Sequence, residues 1–148
     1  GSDAGAVSCQ AKKVDDGYLI SGNKSFITNG PIADKIALFA NTRQEGGIRG
    51  LTLFMVDAKA KGVSIGKKED NMGIRASSTS EIIFEDCFVP DSQRIGREGR
   101  GFKIAMQTLQ TSRPVVGALS VGIAQAALDE AVAYSQQRKQ FGANVSSF

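Results

Sequence analysis

Short apolar runs divided by turn signals fill the first hundred residues. Read as strands, they cover residues 7–14, 18–27, 36–42, 51–56, 63–65 and 81–88. Asp15-Asp16-Gly17 predicts a tight hairpin turn between the first two. In Tyr18-Leu19-Ile20-Ser21-Gly22 the alternation is only partial, which predicts one buried face and a bulge near Gly22. Residues 42–50 are polar and glycine-rich, hence a loop. Strands at this spacing, with no helical period between them, predict an antiparallel β-sandwich or barrel.

The pattern changes at Phe102. Phe102, Ile104, Ala105, Met106 and Leu109 follow a helical period. Ser112-Arg113-Pro114 interrupts it, and two readings stay open. Ser112 caps a new helix with Pro114 in its first turn, or one long helix is kinked at Pro114. From Val115 to Tyr134 apolar residues occupy almost every helical face, the pattern of a helix buried on all sides. Only 14 residues follow Tyr134, so the expected partner is more of a larger protein or another copy of the chain. Fourteen of the 17 glycines lie before residue 102, which marks the same divide. The predicted organisation is a β-domain over 1–95, a linker over 96–101 and the start of a helical domain over 102–148, α+β overall.

Composition then narrows the chemistry. The 148 residues are 41% hydrophobic and 22% charged, ordinary values for a folded domain. Eighteen basic and 15 acidic residues are interspersed, which argues against a nucleic-acid surface. No uninterrupted apolar run approaches the roughly 20 residues of a membrane span, so none is expected. Cys9 and Cys87 are too few for a disulfide framework, which favours a reducing compartment. There is no histidine, which excludes a Ser-His-Asp triad or a His-liganded zinc within the chain, and no metal site is expected.

Several stretches carry candidate chemistry, each beside a plainer reading. Gly1-Ser2-Asp3-Ala4-Gly5 offers backbone N–H groups to an anion, or is a frayed terminus. Ser25-Phe26-Ile27-Thr28-Asn29-Gly30 offers an aromatic face and a hydroxyl to a planar ligand, or is a core Phe26 before a hairpin turn. Gly96-Arg97-Glu98-Gly99-Arg100-Gly101 matches no nucleotide fingerprint and reads as a flexible linker. Arg113 beside Pro114 is a fork for a carboxylate or phosphate, or a surface arginine. Arg138-Lys139-Gln140-Phe141-Gly142 closes the helix, with Gly142 as its stop, or clamps a phosphate.

Taken in order, these stretches resemble the acyl-CoA dehydrogenase flavoproteins. The resemblance runs through Gly1-Ser2-Asp3-Ala4-Gly5, Phe26-Ile27-Thr28-Asn29-Gly30, Met72-Gly73-Ile74-Arg75-Ala76-Ser77 and Phe84-Glu85-Asp86-Cys87-Phe88-Val89-Pro90. It continues in Gly99-Arg100-Gly101-Phe102, Ser112-Arg113-Pro114 and Arg138-Lys139-Gln140-Phe141-Gly142. It implies a middle β-domain followed by the first long helix of a C-terminal four-helix bundle, a fragment of the family's full chain. The family's motif starts at Gly1, so Gly1 and Ser2 read as native.

The resemblance also implies roles. FAD is the expected cofactor, approached by Gly1, Ser2, Phe26, Ile27, Thr28, Arg138, Gln140 and Phe141. Phe26 stands where many members carry a tryptophan. Thr28 matches the residue whose hydroxyl and backbone approach the flavin ring near N5. Arg138 and Gln140 match residues that reach an FAD pyrophosphate held mainly by a neighbouring subunit, and Phe141 an aromatic there. Ser2, Gln110 and Arg113 are expected to meet an acyl-CoA substrate. Gln110 stands where several members have Asp or Asn. The implied reaction is α,β-dehydrogenation of the thioester to a 2-enoyl-CoA with hydride to N5, and electrons leaving to an electron-transfer flavoprotein. The glutamate base is expected beyond Phe148, since Ser112 holds its alternative position, so this piece alone is expected to be inactive. A homotetramer in the bacterial cytoplasm or mitochondrial matrix is implied. The alternatives are an acyl-CoA oxidase, a flavin monooxygenase on the same scaffold, or a non-catalytic binding module.

Overall fold

The computed structural model describes residues 3–43 and 47–148. The chain divides into two compact units, Gly1–Ala105 and Met106–Phe148. The first holds a seven-stranded sheet ordered β5-β6-β2-β1-β3-β4-β7. Its strands are β1 (Gln10–Val14), β2 (Gly17–Thr28), β3 (Lys35–Asn41), β4 (Leu51–Asp57), β5 (Val63–Lys68), β6 (Thr79–Pro90) and β7 (Arg94–Ile95). Among the described residues every neighbouring pair is antiparallel except β1 and β3, which meet in parallel at Gln10 and Asn41.

Val14 faces Gly17 across the predicted hairpin, leaving Asp15 and Asp16 as a two-residue turn. One face of the sheet closes over Tyr18, Ile20, Leu38, Phe54, Val56, Ile82, Phe84 and Val89, all buried. The Tyr18 and Phe54 rings meet edge to face at 4.9 Å.

Two bulges break the ladder between β2 and β6. At the first, Ile20 faces Cys87 but Gly22 faces Phe84, so the extra residue belongs to β6, where Asp86 has φ +46°. The predicted bulge at Gly22 is therefore real but carried by the partner strand. The Ser21 hydroxyl holds it, donating to Asp86 Oδ1 at 2.7 Å and accepting from the Asp86 N–H. At the second, Lys24 faces Ile82 and Ile27 faces Ser80, so the extra residue belongs to β2. Phe26, at φ +56°, takes it up.

Residues 96–100 are no free tether. The Gly99 N–H donates to Thr52 Oγ1 at 2.9 Å, and Tyr18 Oη donates to Glu98 Oε2 at 2.8 Å. Gly99 has φ +72°, and a Cβ there would lie 2.5 Å from the Arg49 carbonyl oxygen. Only glycine lets the loop lie this close to the sheet, which corrects the flexible-linker reading.

A single helix, α1 (Gly101–Gln137), follows, with Pro114 inside it. This decides between the two readings. Ser112 does not cap a new helix; its hydroxyl donates back to the Leu109 carbonyl. Val115, Leu119, Ile123 and Leu128 are exposed. An 18-residue stretch of α1 averages a hydropathy of 1.4, long and apolar enough to cross a membrane by length and composition. That corrects the expectation from uninterrupted runs, because alanine, glycine and serine dilute the apolar residues without adding charge. The core helix of a soluble bundle passes the same test.

Past α1 the chain forms a hairpin, β8 (Lys139–Gln140) against β9 (Ala143–Asn144). Phe141 and Gly142, at φ +50° and +79°, make its two-residue turn. Positive φ at both central residues matches the twist of the strands. The helix therefore stops at Gln137, and Gly142 serves the hairpin instead of the helix end.

Candidate active site

Phe26, Ile27 and Thr28 end β2, and the second bulge decides where they point. An inserted residue is left out of the pairing and re-aims its side chain. Phe26 is 73% exposed, an unusual position for a large aromatic next to a folded core. The core reading of Phe26 is thus overturned. Ile27 turns inward and packs against the core. Thr28 is exposed again, and its hydroxyl has no hydrogen-bond partner among the described residues. Phe26 and Thr28 form a solvent-facing pair of a flat aromatic and a free hydroxyl, while Ile27 anchors the strand from behind.

Asn29 does not start a hairpin. It adopts the left-handed conformation, φ 60° and ψ 10°, ahead of a short 3-10 turn, Gly30–Ile32. Its N–H donates to the Ser78 carbonyl at 2.6 Å, and Thr28 pairs with Thr79. The end of β2 is thereby fixed to the segment leading out of residues 71–78. Among these, Met72 and Ile74 are 98% and 80% exposed, and Ile74 has φ +53°. A β-branched residue held there is strained. Sequence reading used this stretch only as a family marker and missed that it leads directly into the residues paired with the end of β2.

Gly1 and Ser2 lie outside the described residues. Asp3, next to them, accepts the Gly5 N–H at 3.0 Å through Oδ1. The remaining candidates belong to the second unit. Gln110 and Arg113 stand one turn apart on α1, so their side chains emerge on one face. Pro114 supplies no N–H, which leaves the Gln110 carbonyl without its helical donor beside that pair. Arg138, Gln140 and Phe141 gather at the other end. The Arg138 N–H caps the Tyr134 carbonyl at 2.9 Å, and its own carbonyl accepts from Val145 at 2.9 Å. Phe141 is 96% exposed and meets Phe148 edge to face at 6.2 Å. Arg113 and Gln137 are 24 residues apart along one helix, about 36 Å at the helical rise. One copy of the chain does not bring the two groups to one point.

Comparison with known proteins follows the same division. The family described as acyl-CoA dehydrogenase, middle domain, matches residues 1–87. Its C-terminal domain counterpart matches residues 99–148. The chain belongs to the acyl-CoA dehydrogenase family. It is 47% identical, over all 148 residues, to a short-chain specific acyl-CoA dehydrogenase of Clostridium acetobutylicum, and covers 39% of that protein. It is 46% identical over 148 residues to a subunit of the caffeyl-CoA reductase–Etf complex of Acetobacterium woodii, again covering 39% of it. The butyryl-CoA dehydrogenase structure from Megasphaera elsdenii superposes with a TM-score of 0.94 at 47% identity, over all of this chain and 39% of that one. The chain thus spans about two fifths of the length of the acyl-CoA dehydrogenases it matches, and its β-sheet and long helix are parts of that fold.

The residues present fit the family's flavin. An outward aromatic and a free hydroxyl on one strand suit a planar, hydrogen-bonding ring system, and Arg138 at an exposed helix end suits a pyrophosphate. Among the described residues no group of three or more His, Cys, Asp and Glu side chains is placed to hold a metal.

Proposed function

We propose that the protein containing this chain is an FAD-dependent acyl-CoA dehydrogenase, converting an acyl-CoA thioester to its 2-enoyl-CoA. The observation that carries this reading is the bulge at Phe26, which spends a strained residue to turn an aromatic side chain out of the sheet beside the Thr28 hydroxyl. When bound, FAD supplies a hydride acceptor at N5. Phe26 would cover the flavin and exclude water, Thr28 would donate a hydrogen bond to it, and Ile27 fixes the strand behind them. The family resemblance assigns Gly1 and Ser2 to the flavin as well, and Ser2 also to the acyl-CoA. Gln110 meets the CoA part of the substrate, and Arg113 lies toward its thioester end. Arg138, Gln140 and Phe141 would hold the pyrophosphate of a flavin bound mainly by another subunit, in keeping with the roughly 36 Å of α1 that separates Arg113 from Gln137. The assembly is a homotetramer.

The proton at the α carbon goes to a glutamate beyond Phe148, because Ser112 carries no base. Electrons pass to an electron-transfer flavoprotein, a reading supported by the Etf-complex subunit among the relatives. That same relative is named a reductase, which favours a second reading in which the same carbon–carbon bond chemistry runs toward saturation. Relatives from bacteria and from mitochondria support a cytoplasmic or matrix location.

Arg138→Ala in the full-length protein tests the shared flavin site. A charge-assisted hydrogen bond is worth about 1.5–3 kcal/mol, so FAD is expected to dissociate roughly 10-fold to 100-fold more readily on dilution. Acyl-chain preference is expected to stay as it was. Full flavin occupancy of the variant at low protein concentration would overturn the assignment.

A further inference from the structure

The sheet contains a gap that the proposed activity does not use. Strand β1 lies between β2 and β3, but it begins at Gln10, opposite Ser21 on one side and Asn41 on the other. Antiparallel β2 beyond Ser21 and parallel β3 before Asn41 both run past that first residue. No strand separates them there. A cavity of about 150 Å³ occupies the gap, lined by Lys24 and Ile27 of β2, residues 36–39 of β3, and Ile82 and Phe84 of β6. The bulge at Phe26 is what brings both Lys24 and Ile27, three residues apart, to the same side.

Every lining side chain except that of Lys24 is hydrocarbon. The recess is partly open to solvent, and its apolar wall and volume suit a group of a few carbon atoms. The guest that suits it is therefore a short hydrocarbon chain. The one reactive group at the wall is an amine. Lys13, Lys35, Lys59 and Lys67 are paired with Asp91, Asp57, Asp34 and Glu69. Lys24 is half-buried and has no acidic partner among the described residues. Burial pushes its ammonium below the ordinary lysine range, opposed only by the nearby Cys9 thiol, so more of it is the free amine near neutral pH.

We infer that Lys24 is an acylation site, its amine taking the acyl group of a short-chain acyl thioester whose hydrocarbon tail lodges in this cavity. The Nζ lone pair attacks the thioester carbonyl carbon. The carbon–nitrogen bond forms, the carbon–sulfur bond breaks, and the thiolate leaves with the amine proton as free thiol. No oxidant or reductant enters. The product is a neutral amide, which relieves the cost of a charge beside hydrocarbon. The step is independent of dehydrogenation and requires only the thioester.

The test exposes the full-length protein to butyryl-CoA and, separately, to hexadecanoyl-CoA, and measures butyryl- or hexadecanoyl-lysine at each site by peptide mass spectrometry over time. With butyryl-CoA, Lys24 is expected to be acylated several-fold faster than Lys61 or Lys103. With the long chain, which the cavity cannot hold, that lead is expected to vanish. Ala37→Leu, which fills the cavity from an exposed strand position, is expected to slow Lys24 several-fold while Lys61 and Lys103 stay unchanged and report an intact fold. Acylation of Lys24 no faster than of Lys61, or a lead that survives Ala37→Leu or the long chain, would overturn the proposal.

Discussion

The phenol of Tyr18 stands where the core meets the loop that leads into α1. Its ring is 1% exposed, Lys13 lies over it at 4.6 Å, and its hydroxyl donates to Glu98. Burial first, and that hydrogen bond second, push its pKa up to about 12. The folded value lies above the unfolded one. The stabilisation is therefore complete below about pH 10 and is lost as pH rises toward 12. Tyr18→Phe is expected to cost about 0.5–1.5 kcal/mol at pH 8 and to flatten the alkaline fall in stability. Denaturant melts at pH 8 and pH 11 check both; an unchanged alkaline slope would show that Tyr18 is not its source. Gly99 makes a companion case. Gly99→Ala forces a Cβ against the Arg49 carbonyl at φ +72°, and a loss of about 1–3 kcal/mol is expected from strain alone. Urea midpoints measure it, and a shift within error would mean the loop lifts from the sheet freely. Neither contact is legible in the sequence of residues 96–101, because Tyr18 and Thr52 lie 80 and 47 residues from their partners. A glycine-rich hexapeptide reads as slack until the atoms it touches are known.

At the scale of elements, periodicity locates what is regular and misses what depends on a neighbour. The apolar runs place β1 through β6 within a few residues, because a half-buried strand alternates whatever it pairs with. The two-residue β7 is too short to show a period. The bulge that exposes Phe26 is a mismatch between β2 and β6, so it has no signature in either strand taken singly. The hairpin at Lys139–Asn144 was hidden for a related reason: cations and a glycine after a helix look alike whether the glycine ends the helix or turns a hairpin. Pro114 left two readings open because proline is compatible with both a helix start and a kink. In the continuous α1 it leaves the Gln110 carbonyl without a donor. Pro114→Ala restores that N–H and is expected to stabilise the protein by about 1–3 kcal/mol. Thermal unfolding reads this directly. An unchanged or lower midpoint would show that the packing around α1 is built for the proline.

For the whole molecule, the two units are unequal in what they bury. The sheet encloses a core, while Val115, Val116, Leu119, Ile123 and Leu128 of α1 stay 57–68% exposed in this chain. Each such side chain left in water forgoes about 1.5–3 kcal/mol, and several together match the whole stability of a small domain. The chain covers 39% of the length of its Clostridium acetobutylicum relative, and the apolar faces of α1 need a cover that the described residues do not supply. The proposed chemistry divides the same way. Phe26 and Thr28 offer a flavin face, and Gln110 and Arg113 a grip on substrate. In the proposed mechanism the base lies elsewhere: histidine is absent, and the residue before Arg113 is Ser112, which carries no carboxylate. Removing a proton that a thioester only partly acidifies needs a positioned base, typically worth about 10²–10⁴ in rate. The 148-residue chain mixed with FAD, an acyl-CoA and an electron-transfer flavoprotein is therefore expected to show no turnover, even where flavin binds. Loss of dye or flavoprotein absorbance in a coupled assay measures it, with the full-length protein as the positive control. Acyl-CoA-dependent reduction of the acceptor by the pure chain would mean that a carboxylate within residues 1–148 is the base, and the assignment of that role to a residue beyond Phe148 would fall.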